Sequence, residues 1–199
     1  MRRAMRAEIA ILGAGPVGCI LSLLLSRQDN AVVLERKSKT APDSLRPIVL
    51  SHASRLILER VGAWQRLAPT PVERIHISQQ GGFGRTELLA ADAGVPALGY
   101  VLEYGVLLDA LLGLVAERKI PIAPAPAGAL LTVHAEGTSD AATRKDYGQD
   151  AVVALVSTRP AALATALERF TPEGPLALLP LGGRVAAVWG MHPEGARQL

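Results

Sequence analysis

Cysteine and aromatic residues are scarce in this sequence. A single cysteine, Cys19, stands among 199 residues. That excludes a disulfide framework and any zinc site of the CxxC kind. The four histidines (His52, His76, His134, His192) lie far apart, with no ligand-like spacing among them. Seven aromatic side chains, 4% of the chain, cannot interleave with basic residues as a nucleic-acid face requires, so no nucleic-acid partner is expected. Charge of one sign is lacking too. The net charge is +3, with eight Lys/Arg against four Asp/Glu in residues 1–46 and thirteen against fourteen in residues 47–199. What the chain has in quantity is apolar side chains: 49% are hydrophobic and the mean hydropathy is +0.26, which excludes a disordered chain. The length fits one good-sized domain, or one domain with part of a second.

The longest uncharged run, Ile9 to Ser26, covers 18 residues and follows Arg2, Arg3 and Arg6. A basic flank before an apolar run is the pattern of a signal peptide or a membrane span. Gly13, Gly15, Pro16 and Gly18 interrupt this run, Glu8 lies between the arginines and the run, and no small-x-small cleavage site follows. The expectation is therefore a soluble, cytoplasmic chain, in keeping with a lone reduced thiol.

The same run divides into three elements. Ala7 to Leu12 is short and apolar, the pattern of a buried strand. Gly13-Ala14-Gly15-Pro16-Val17-Gly18 has the form GxGxxG. From Pro16 the leucines continue as a helix, with proline in the first turn, where its missing N–H costs nothing. Ala31 to Leu34 reads as a second strand, closed by Glu35. Each residue type has a role in holding a dinucleotide. Gly13 permits the sharp turn, Gly15 lets the backbone approach a pyrophosphate, and Gly18 allows close helix–strand packing. The helix N-terminus presents N–H groups to the phosphates. Glu35, twenty residues after Gly15, is placed to accept hydrogen bonds from ribose hydroxyls and to repel a 2′-phosphate. An ordinary glycine turn is the competing interpretation in a chain with 19 glycines. The strand before, the helix after and the acid ending the next strand favour the dinucleotide, without deciding between FAD and NAD.

Beyond it, residues 36–47 form a polar loop bounded by prolines, in which Arg36, Lys37 and Lys39 read as solvated charge and Arg46 as a candidate cofactor contact. Leu56, Ile57, Val61 and Trp64 follow helical spacing from Ser51, with His52 in a capping or surface role. Ser51-His52 belongs to no GxSxG turn, so a hydrolase triad has no support. Val72 to Ser78 alternates as a strand; residues 81–84 are a turn and Arg85 to Leu89 the return strand. Gly99 to Glu103 is another strand, and Val106 to Arg118 a helix with an apolar stripe. Ile120 to Gly128 reads as a linker or a compressed connection, Leu130 to His134 as a strand, and residues 136–147 as a polar stretch. Residues 151–156 and 185–189 read as strands, separated by a Pro/Gly-rich turn region over 171–183. The order gives an α/β unit followed by a β-rich piece.

Several blocks also resemble a known family. Gly13 to Gly18 with Glu35, Arg46 to Arg55, Ile75 to Arg85, Leu98 to Glu103, Asp146 to Gln149 and above all Arg169 to Gly182 (RFTPEGPLALLPLG) resemble the FAD-dependent aromatic hydroxylases of ubiquinone biosynthesis. Within that group they are most similar to the 2-octaprenyl-6-methoxyphenol hydroxylase type. The resemblance implies a Rossmann-like FAD-binding domain over 1–70 and 99–145, with part of a β-rich substrate domain over 71–98 and 146–199. It implies a flavin monooxygenase using O2 and NAD(P)H or another electron donor on a lipid-tailed phenol. Other ubiquinone-biosynthesis proteins and the inner-membrane surface are the implied partners. By this similarity Gly13, Ala14, Gly15, Pro16, Val17 and Gly18 hold the FAD pyrophosphate, Glu35 the adenosine ribose, and Arg46 lies near the cofactor. No catalytic acid or base is assigned.

The chain departs from the family at named places. Gly105 stands where the family carries an arginine, and Glu136-Gly137 where it carries Asp-Gly. The segment from Pro121 to Leu130 is shorter than the family's, and the sequence reaches Leu199 before the family's Gly-Asp motif. These departures set a second expectation beside the enzyme: a shortened, non-catalytic relative that binds nucleotide weakly or acts as an interaction partner. A third, an NAD-binding module, is allowed by the glycine motif but not by the downstream blocks.

Overall fold

The computed structural model describes residues 8–28, 30–36, 46–137, 143, 145–158 and 164–198. The expected loop over 37–45 and the polar residues 138–142 and 144 lie outside them. The chain divides into two compact units. The first comprises residues 1–44, 56–67 and 104–143; the second comprises 45–55, 68–103 and 144–199.

In the first unit, β1 (Ile9–Leu12) lies between β2 (Val32–Glu35) and β8 (Leu131–His134), all three parallel. Parallel strands buried by helices carry continuous apolar runs, and Ile11 and Leu34 are fully buried here. Between β1 and β2 runs α1 (Pro16–Leu25), with Pro16 at its first position. Its buried residues are Gly18, Cys19, Ser22 and Leu23, a small-residue face that lets the helix lie close to the strand before it. Helix α3 (Tyr104–Glu117) packs on α1 and buries Leu107, Leu108, Leu111, Leu114 and Val115. It starts two residues before the expected Val106. Of the two readings of Ile120 to Gly128, the compressed connection is the one found, fastened to the sheet: Leu34 donates to the Pro121 carbonyl at 2.9 Å and Ala123 to the Leu34 carbonyl at 3.0 Å.

Arg118 ties two helix ends of this unit together. Its guanidinium donates to the Leu23 carbonyl, in the last turn of α1, at 2.9 Å and to the Val61 carbonyl at 3.0 Å. Both are carbonyls that a helix end leaves without an internal partner. Arg118→Ala removes two charge-assisted bonds and is expected to lower stability by about 2–4 kcal/mol, measured by urea unfolding. An unchanged unfolding midpoint contradicts this role.

In the second unit a six-stranded sheet runs in the order β6 (Arg85–Leu89), β5 (Arg74–Gln79), β10 (Thr165–Phe170), β11 (Pro175–Leu181), β12 (Arg184–Met191), β9 (Asp150–Val156). A second, antiparallel sheet has β7 (Gly99–Glu103) between β3 (Pro47–Leu50) and β4 (Thr70–Val72). Val72, Val101, Ala166, Leu181 and Ala186 form the unit's apolar cluster. Helix α2 (His52–Val61) follows β3, and the short α4 (Pro193–Ala196) follows β12.

Three expectations change. The single strand read over 72–78 is two strands in different sheets, broken at Glu73, whose N–H turns to the Ala164 carbonyl at 2.7 Å. The region 171–183, read as a turn, contains the central strand β11. Its prolines are tolerated by position: Pro175 is the strand's first residue, and Pro180 lies beyond Leu178, the last residue paired with β10, where no donor is needed. His52 is not the cap of α2. Ser51 is, its Oγ accepting the Ser54 N–H at 3.1 Å, while His52 Nδ1 is buried without a hydrogen-bond partner among the described residues.

Candidate functional site

Because β2, β1 and β8 are parallel and in register at Leu12, Glu35 and His134, their carboxyl ends form one edge. In open parallel sheets ligands bind outside that edge, where connections leave the central strand in opposite directions. The glycine turn, Glu35 and the segment Ala135-Glu136-Gly137 all gather there.

The turn is clamped by the chain's own backbone on two sides. The Gly13 N–H donates to the Glu35 carbonyl at 3.0 Å. Gly13 has φ +112, and a Cβ added to it would stand 2.5 Å from the Ala135 carbonyl oxygen and 2.8 Å from the Glu136 Cα. A Cβ on Gly18 would overlap the Gly13 carbonyl oxygen. These two glycines are demanded by internal packing. Gly15 is different: the nearest atom to a Cβ there is the Tyr104 hydroxyl, at 3.6 Å. Among the described residues no other atom comes within 4 Å of that position.

That space fits a pyrophosphate. Gly15 is the N-cap of α1 and has no side chain to accept the first-turn N–H groups; no acid stands in the first turn. The N–H groups of Val17 and Gly18 therefore have no intrahelical acceptor, and the positive end of the helix faces outward beside a hydroxyl donor. Ala14 and Pro16 complete the turn, Ala14 buried and Val17 exposed. Tyr104 is a candidate site residue with no signal in the sequence: its hydroxyl lies 3.6 Å from the Cβ position of Gly15, and the neighbouring Gly105 stands where an arginine is expected.

Glu35 ends β2 at the same edge. Its Oε2 accepts the Ala125 N–H at 2.9 Å, so the 120–128 connection orients the carboxylate, and among the described residues Oε1 makes no hydrogen bond. A fixed acceptor beside a phosphate turn suits ribose hydroxyls. Glu136 follows β8, and its Oε2 lies 3.3 Å from His134 Nδ1. Arg46 is exposed, immediately before β3, and belongs to the second unit. Cys19 lies under the turn, its thiol directed at the Ala14 carbonyl at 3.6 Å. Burial pushes this thiol up to about 11, against a smaller opposite pull from Arg36, so it stays protonated and unreactive.

One titratable group in the second unit stands out. Glu168, on β10, lies on the apolar side of its sheet, and burial raises its pKa above the ordinary 4.5. Between the ordinary and the raised value the folded chain holds more protons than the unfolded one, so stability falls as pH rises through that window. Glu168→Gln is expected to be more stable than the unaltered protein at neutral pH and to lose this slope, the two converging at pH below the ordinary value. Thermal melts across that range check it; a variant less stable at neutral pH contradicts it.

A βαβ unit with a ligand-shaped glycine turn and an acid at the next strand's end defines a dinucleotide-binding protein. Comparison with known proteins specifies the class. Residues 6–163 match the family model described as FAD binding domain, and the chain belongs to that family. Its cofactor is FAD. The chain is 28% identical to 3-demethoxyubiquinol 3-hydroxylase of Escherichia coli, over 96% of this chain and 59% of that protein. It is 26% identical to the ubiquinone hydroxylase UbiL of Rhodospirillum rubrum, over 92% of this chain and 51% of that protein. It thus spans between half and three-fifths of the length of these relatives. Among solved structures, p-nitrophenol 4-monooxygenase PnpA of Pseudomonas putida shares the fold, with a TM-score of 0.75 at 14% identity, over 96% of this chain and 60% of that one. The fold is that of the FAD-dependent monooxygenases, an FAD-binding α/β unit with a β-rich companion. No helix among the described residues is long and apolar enough to cross a membrane.

Proposed function

We propose that this protein is an FAD-dependent monooxygenase that hydroxylates a polyprenylated phenol ring in ubiquinone biosynthesis. The observation that carries the proposal is the open phosphate turn over Gly15, with an orienting carboxylate at Glu35, in a chain whose relatives carry the names of ubiquinone-pathway hydroxylases. When bound, FAD supplies the redox chemistry by which one atom of O2 enters the ring and the other leaves as water, with electrons drawn from NAD(P)H or another donor. The protein's part is placement. The α1 N–H groups and the Tyr104 hydroxyl hold the pyrophosphate, and Glu35 holds the ribose in the orientation that Ala125 fixes. A lipid-tailed substrate makes the inner-membrane surface and other ubiquinone-biosynthesis proteins the expected places of encounter.

The experiment is a titration of the purified chain with FAD followed in the visible spectrum, then NAD(P)H oxidation with and without O2 and a methoxyphenol. Flavin retention with oxygen-dependent formation of a hydroxylated ring supports the proposal. A folded chain that binds nucleotide weakly and forms no product supports the non-catalytic alternative.

A further inference from the structure

The chain has two phenylalanines, and both stand exposed at one end of the six-stranded sheet. Phe83 is at the tip of the hairpin joining β5 to β6, between Gly82 and Gly84, with its side chain wholly open to solvent. Phe170 ends β10, is 49% exposed, and pairs with Gln79 at the end of β5. The Gln80 N–H donates to the Phe170 carbonyl at 2.9 Å, which ties the hairpin tip to the end of β10. One residue back, Ser78 pairs with Arg85 on one side and Arg169 on the other, so the two arginines share a face of the sheet at this end. Both are exposed, and among the described residues neither makes a hydrogen bond or an ion pair. The two turns here, residues 80–84 and 171–174, hold a single acid, Glu173. Asp150 and Glu194 lie beyond β11, toward the opposite edge of the sheet. Exposed apolar residues scattered singly need no explanation. Two phenylalanines gathered beside two unpaired arginines, in a chain with no other phenylalanine, do.

We propose that this end of the sheet docks on an anionic lipid surface, with Phe83 and Phe170 entering the acyl boundary and Arg85 and Arg169 engaging the headgroups. The inference goes beyond the hydroxylase reading and stands without it. A phenyl ring carries no polar atom to satisfy, so it gains by leaving water for hydrocarbon. Arginine beside an anionic surface gains from the surface potential, and its stem lies along the apolar boundary while its head stays hydrated. Lipid also fits the shape. A specific protein partner needs a footprint of about 1,000 Å² or more, which the tip of one hairpin does not offer. A symmetric contact between two copies of this end would set the arginines of one against those of the other. A fluid surface needs no matching contour, and two rings with two cations give reversible attachment rather than permanent anchoring.

The test is sedimentation of the full chain with vesicles of phosphatidylcholine alone and of phosphatidylcholine mixed with phosphatidylglycerol. Binding is expected to the mixed vesicles, weakening as salt is added. Phe83→Ser should lower it at least about tenfold, and Arg85→Gln and Arg169→Gln about fivefold each. All three positions are exposed, and near-UV circular dichroism establishes that the variants fold. A second measurement places the contact. A Cβ on Gly84 meets nothing within 4 Å and Cys19 is buried, so Gly84→Cys takes an environment-sensitive dye at the tip alone. Its emission should shift to the blue on mixed vesicles. No sedimentation, equal binding to both vesicles, variants that bind as the unaltered chain does, or binding without a dye shift overturns the inference. So does a dimer that Phe83→Ser converts to monomer, which would assign the tip to a second copy. FAD titration and product analysis keep the levels apart. A chain that hydroxylates but ignores vesicles sinks this surface alone. One that docks through the tip yet forms no product sinks the hydroxylase reading and leaves the surface standing.

Discussion

Gly18→Ala is expected to destabilise the chain by about 3 kcal/mol or more and to abolish FAD retention. The added methyl group falls on the Gly13 carbonyl oxygen and lies 3.4 Å from Ile11 Cγ2. Relief cannot come from a flexible side chain, because the obstructing atom is backbone. Nor can that backbone move freely. Gly13 is held to Glu35 by a 3.0 Å hydrogen bond on one side, and the Ala135 and Glu136 backbone stands behind it on the other. The cost is therefore shared among β1, β2 and the end of β8, the three strands whose common edge makes the site. Small domains are stable by only about 5–15 kcal/mol, so the loss is a large fraction of the total. Urea unfolding of the FAD-free proteins measures it, and an unaltered midpoint refutes the packing argument.

Gly15→Val is expected to produce the opposite division of effects. Gly15 has φ −78 and ψ −179, extended backbone open to any residue, and a side chain there meets only the Tyr104 hydroxyl, at 3.6 Å from the Cβ. The FAD-free protein should lose less than about 1 kcal/mol, the difference between glycine and valine as N-cap residues. FAD affinity should fall on the order of a hundredfold, because the valine occupies the space through which the helix N–H groups reach the pyrophosphate, and each lost charge-assisted bond is worth about 1.5–3 kcal/mol. Two glycines three positions apart thus separate cleanly, one serving the fold and the other the ligand. Equal FAD affinity in the Gly15 variant, or instability like that of the Gly18 variant, contradicts the assignment.

The phosphate turn was legible because its constraints are local. The run before Gly13 has the length and character of a strand, proline sits where a helix begins, and the acid at position 35 closes the next strand. What escaped depends on contacts remote in sequence. Glu35 is oriented by Ala125, ninety positions away, through a connection whose three prolines suggest a linker. Tyr104 reaches Gly15 only because α3 packs on α1. The strand β11 was hidden by Pro175 and Pro180, which are tolerated for reasons of pairing that composition does not reveal. Glu168 lies in a six-residue strand (TALERF) that looks ordinary until its register with β5 and β11 puts the acid on the apolar side. The resemblance to ubiquinone-pathway hydroxylases located the family but could not supply these contacts, since Ala125, Tyr104 and Glu168 lie outside the motifs that carry it.

The central claim is that the carboxyl edge of β1 holds the pyrophosphate of FAD over Gly15. Titrating the purified chain and its Gly15→Val variant with FAD, with circular dichroism to establish that both are folded, tests it most directly. The account predicts one flavin bound per unaltered chain and a loss of affinity in the variant without loss of structure. A folded, unaltered chain that retains no flavin, or a variant that retains as much, would contradict it.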